Sequence, residues 1–210
     1  MSFSMYLAKV SDNKDPDKMD RIKVTRTLEK DAVSAWIPYL SINAGSAAGF
    51  STLPDVDQQV LVASLDDEET CQVAVGTIWS ENAKPPESGE NGDADLNKDG
   101  KNALHFVKST SENMIIIDDT KDSEKVQLIA AGGKTRFEFS KKDKLVNLET
   151  DEKIALSAKK EMTFEADTIT MKAKKKADFS MDEFQSKASK TCSLKADQDM
   201  TLKGSGIALN

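Results

Sequence analysis

The strongest metal-ligand spacing in the sequence is Asp95-Leu96-Asn97-Lys98-Asp99-Gly100. It matches the first half of a calcium loop, in which alternating oxygen ligands wrap the ion and glycine permits a sharp turn. Asp95, Asn97 and Asp99 would be the ligands, with Asp93 beside them. The twelfth loop position is Phe106 instead of a bidentate glutamate, so the stretch reads as a solvated acidic linker and only a weak calcium candidate. His105 is the single histidine. A catalytic histidine needs a partnered nucleophile or acid; the sequence identifies neither, and His105 is expected in or near a strand. Cys71 and Cys192 are far apart and read as two buried free thiols in a reducing compartment, not as a disulfide framework. Asp66, Asp67, Glu68 and Glu69 could be paired carboxylates for glycan cleavage. Between two strands they read instead as a solvated turn. The lysine-rich tract 172–176 could be a nucleic-acid patch, but it reads as outward and turn positions of a repeat that must stay in water. These groups imply no catalytic residue, no resident metal and no cofactor.

The elements that must position these residues are dominated by the stretch 151–210. It breaks into short lines, each a polar turn followed by three alternating positions that are mostly apolar or small. The triplets are Ile154/Leu156/Ala158, Met162/Phe164/Ala166, Ile169/Met171/Ala173, Ala177/Phe179/Met181, Phe184/Ser186/Ala188, Cys192/Leu194/Ala196 and Met200/Leu202/Gly204, with Ile207/Leu209 in a shorter last line. The first member recurs every seven or eight residues. Alternation at period two is a strand signal, and a fixed repeat length means one unit stacked many times. A thin ribbon of such units cannot offset an ordering entropy of roughly 1–2 kcal/mol per residue by burying its stripe against itself. A unit this short is one side of a triangle, not a full solenoid turn. Three identical chains wound around each other would supply the three sides and pair every strand edge. The expected axial core is Ile154, Leu156, Met162, Phe164, Ile169, Met171, Phe179, Met181, Phe184, Leu194, Met200 and Leu202.

The rest of the chain reads as all-β. Residues 6–10, 21–27, 35–42, 59–64 and 71–79 form five expected strands, with Pro38 confining its strand to an edge or bulge. Their number and length fit a small OB-like barrel over 1–80. The barrel aromatics are expected at core-facing positions, which leaves no basic, aromatic-studded groove for single strands or sugars. An acidic, proline- and glycine-bearing flexible linker follows over 81–102. Four neck strands are expected at 103–107, 113–118, 125–131 and 135–139, with 144–149 leading into the array, within a segment 103–150, and the repeat array fills 151–210. Aromatic content of 6% against 31% charged residues suits a thin extended fold better than a thick core. A net charge of −7 argues against nucleic acid as a partner. The opening residues show no secretion signal, and no apolar run approaches the length of a membrane span.

Several ordered pieces together resemble a known family. They are Asp15-Pro16-Asp17 with Arg21-Ile22-Lys23-Val24, Trp36-Ile37-Pro38-Tyr39, Leu53-Pro54-Asp55-Val56, Gln59-Val60-Leu61-Val62 and Val75-Gly76-Thr77-Ile78-Trp79. After Lys84-Pro85-Pro86 come His105-Phe106-Val107-Lys108-Ser109, Ile116-Ile117-Asp118-Asp119-Thr120 and Glu124-Lys125-Val126. Taken in this order they are similar to the central spike proteins of contractile phage tails, tailocins and type VI secretion, the valine–glycine repeat spike family. The resemblance implies a homotrimer: an OB-like barrel under a trimeric hub, followed by an intertwined triple-stranded β-helix, or β-prism, aimed at a target membrane. It implies synthesis in the cytoplasm and a place at the centre of a baseplate. The chain departs from the family in lacking a large N-terminal hub domain, a lysozyme domain, a strict Val-x-Gly pattern and a C-terminal His-x-His motif. A separate hub protein is therefore expected at the barrel end. Ile207 and Leu209, the last inward residues, are expected to meet a separate conical tip protein. The expected work is mechanical: a non-enzymatic, membrane-piercing spike. The alternatives are a trimeric β-helical tailspike that degrades surface glycans and an adaptor that carries effectors on the spike.

Overall fold

The computed structural model describes residues 3–28, 32–66, 70–86 and 100–206. Among these residues every regular element is a strand. The chain divides into two compact units, Met1–Ile154 and Ala155–Asn210.

The first unit opens with a five-stranded antiparallel sheet of β1 (Ser4–Asp12), β2 (Arg21–Arg26), β3 (Ile37–Pro38), β6 (Gln59–Ser64) and β7 (Gln72–Thr77), in the order β3-β2-β1-β6-β7. The sheet curls until its ends meet. Tyr39 bridges Ala74 in parallel, and the Leu40 N–H donates to the Ala74 carbonyl at 2.8 Å. The register shifts at Val10/Asp12 and at Leu61/Val62 are bulges, which sharpen strand bending in small barrels. Alternation supplies the interior: Ala8 and Val10, Ile22 and Val24, Val60 and Val62, with Ile37 and Ala74, are all buried. Small and β-branched side chains fill a barrel this narrow.

Closure by small residues corrects two expectations. The barrel aromatics do not populate the core: Phe3, Phe50 and Trp79 are about 60% exposed, and Tyr6 and Tyr39 only flank the cluster. Cys71, expected to be buried, is exposed just ahead of β7, and Cys192 is exposed too. The expected strand 35–42 shrinks to Ile37–Pro38, since Pro38 has no N–H to extend the ladder. The loop 43–58 contains a small hairpin of β4 (Ala44–Gly45) and β5 (Ala48–Gly49). There a Cβ at Gly49 would lie 2.4 Å from the Asn43 carbonyl oxygen, an approach only glycine allows.

A second antiparallel sheet is a simple meander of β8 (Leu104–Lys108), β9 (Met114–Asp118), β10 (Lys125–Ile129), β11 (Arg136–Ser140) and β12 (Leu145–Glu149). Positive φ at Glu112, Asp122, Gly132, Gly133 and Lys144 marks its tight turns. One face buries Leu104, Ile116 and Ile129, with Phe106 and Met114 packed beside them.

Candidate functional site: an apolar assembly surface

The surface is built from strand alternation. In the meander, the pairing register aligns two rows across all five strands. One row is Val107, Ile115, Leu128, Phe137 and Leu148; the other is His105, Ile117, Val126, Phe139 and Val146. Nine of these ten side chains are apolar, and all but the half-buried Phe137 are exposed. Phe137 and Phe139 touch edge to face with ring centroids 4.8 Å apart. His105 is the one polar member of these rows. The opposite face carries the polar pair of this sheet: Gln127 Nε2 donates to Glu138 Oε2 at 2.5 Å, while Gln127 Oε1 is buried without a hydrogen-bond partner.

The array from 151 onward has its own regularity. Seven segments of six residues, 153–158, 161–166, 168–173, 176–181, 183–188, 191–196 and 199–204, run without bend or turn. Bends of one or two residues separate them, all at polar or charged positions such as Lys159, Asp167, Asp182 and Ser205. In every segment the second, fourth and sixth residues are the alternating triplet found in the sequence. Ser186 Oγ lies 4.0 Å from Cys192 Sγ across the bend at 189–190, so these two triplet positions lie on one side. Every described residue from 151 to 206 is exposed, and none pairs as a strand within the chain. The twelve expected axial residues, Ile154 to Leu202, are 46–77% exposed. Monomeric proteins rarely show contiguous apolar surface of this extent unless it meets another surface.

The remaining candidates resolve individually. Asp66 caps its own turn: its carboxylate accepts from the Thr70 N–H at 2.9 Å, the Cys71 N–H at 3.0 Å and the Thr70 hydroxyl. Asp67, Glu68 and Glu69 lie outside the described residues, as do Asp95, Asn97, Asp99, Ile207 and Leu209. Among the described residues no group of three or more His, Cys, Asp or Glu side chains is placed to hold a metal. Lys172, Lys174, Lys175 and Lys176 take outward and bend positions, with Lys176 Nζ 2.9 Å from Asp178. Beside the barrel, a cavity of about 540 Å³ is lined by Tyr6, Arg26, Trp36 and Cys71. Its aromatic faces are occupied: Arg26 lies 4.0 Å over Tyr6 and Lys23 4.9 Å over Trp36.

The β1–β2 loop is held by one carboxylate. Asp15 accepts from the Asp17 and Met19 N–H groups and from Arg21 Nε and Nη2, the last at 2.6 Å. The Arg21 side-chain hydrogen bonds hold the Asp15 carboxyl well below the usual carboxylate range, against a smaller opposing effect of burial and with help from the two backbone donors.

Sequence reasoning missed the two rows of the meander as part of the surface. Their signal was present in the alternation of residues 113–118, 125–131 and 135–139; which face it would expose depended on the register of all five strands.

Residues 6–79 match the family model of the type VI secretion system/phage-baseplate injector OB domain, in support of the resemblance drawn from the sequence. That family is a structural baseplate and injector family and is not a known enzyme family. No match was found among the curated proteins.

Proposed function

We propose that this chain is the central, membrane-piercing spike of a contractile injection particle, built as a homotrimer. The observation that carries the reading is the array: seven equal segments present one apolar stripe, and among the described residues the chain offers that stripe no partner. A threefold braid would bring the stripes of three copies to a common axis and pair each strand with a neighbour. Strands in a sheet are spaced about 4.8 Å, so eight units give a prism of roughly 40 Å. Bending it would break many contacts together, a stiffness suited to a part driven through a membrane by a contracting sheath. In this reading the barrel over 1–80 meets a trimeric hub protein, 81–102 links it to the neck at 103–150, and 151–210 forms the prism. Ile207 and Leu209 continue the stripe toward a conical tip protein. The injector-domain match of the barrel supports placement in a baseplate.

Sedimentation of the full chain at micromolar concentration checks the reading. A folded trimer is expected; a well-folded monomer at that dilution would sink it.

A further inference from the structure

One of the seven segments breaks the size pattern of the others. In six, the second residue is the larger and the sixth is Ala or Gly; in 176–181 the order inverts, with Ala177 second and Met181 sixth. Every segment thus keeps one larger and one small residue at these two places, whichever end carries which. The two cannot be compensating each other within a segment, because four residues of extended chain separate them by about 13 Å. The next segment of the same chain is no better partner: across the bends Ala173 precedes Ala177, small against small, and Met181 precedes Phe184, large against large.

We infer that, in the trimer proposed above on which this rests, Met181 of one copy seats against Ala177 of the next copy at the same level, and that this pair levels the three chains. Nearly equivalent repeats invite slippage by one unit. A slip would press Met181 against Ile169 or Phe184 and leave Ala177 facing an alanine across a void. Overpacking and cavities are both penalised, so the inverted segment favours one alignment.

The test is a comparison of Met181→Ala, Ala177→Met and the double variant in the full chain, read by the thermal melting of the array. Each single variant is expected to lower that melting by at least about 5 °C, and the double variant to regain most of the loss. If Ala177→Met alone does not assemble, recovery of the double variant relative to Met181→Ala carries the same result. A double variant that stays trimeric by sedimentation yet is destabilised by the sum of the single losses overturns the pairing and leaves the trimer standing. A monomeric parent chain overturns both.

Discussion

Asp15 shows how one side chain organises a connection. Its carboxylate gathers two backbone N–H groups and the Arg21 fork, fixing the path between β1 and β2 through Lys18 and Asp20, both at positive φ. Because the folded group titrates below its unfolded value, its stabilisation is complete above the unfolded pKa of about 3.9 and is lost as pH falls toward the folded one. The melting temperature of the barrel in Asp15→Asn is therefore expected to trail the parent by a constant margin near neutrality. The margin should close below about pH 4; a difference that ignores pH over that range would place the stabilisation elsewhere. The Asp-Pro-Asp and Arg-Ile-Lys-Val pieces were visible in the sequence, but the four-donor geometry was not, because it needs the loop to fold back on itself. Cys71 was misread for the opposite reason: a small residue beside an apolar strand looks like core until the barrel closes without it.

At the scale of elements, the inward and outward positions of each segment predict opposite mutational behaviour. Met171 is the fourth residue of 168–173 and Thr170 the third. In the proposed trimer, Met171→Asp would bring three carboxylates to the axis with no partners, at a cost of several kcal/mol each, and trimer yield in native mass spectrometry is expected to collapse. Thr170→Asp adds the same charge on the outward side and is expected to leave the yield unchanged. A normal trimer from Met171→Asp would remove that residue from the axis. Strands such as β2 and β11 were legible from period-two alternation, and β6 spans the 59–64 expected from its apolar run. The hairpin of β4 and β5 was not, because Ala, Gly and Ser carry no alternating apolar signal and its pairing is a matter of backbone approach at Gly49. The neck rows were legible strand by strand but became a surface only when the pairing register stacked Val107 beside Ile115 and Ile115 beside Leu128.

At the scale of the whole molecule, the two kinds of structure differ in where their burial comes from. The barrel closes its core within one copy, around Val10, Val24, Val60 and Val62. Among its described residues the array buries nothing within one copy. Mass action then separates their unfolding, since only association-dependent structure responds to concentration. Calorimetry is expected to show a barrel transition independent of protein concentration and an array transition that rises with it. Two transitions that both ignore concentration would mean that the array is stabilised within a single chain.

The sequence by itself determined the local periods: alternation in strands such as β2 and β11, a unit of seven or eight residues after 151, and an apolar stripe on one side of it. These follow from backbone geometry, which sends successive side chains to opposite sides whatever lies nearby. Tertiary structure alone decided which sides are enclosed. Closure of the barrel chose valines over aromatics for its interior, and the register of the meander turned His105 and its neighbours outward. Enclosure depends on which strand lies beside which, and that is fixed by contacts between residues distant in the chain.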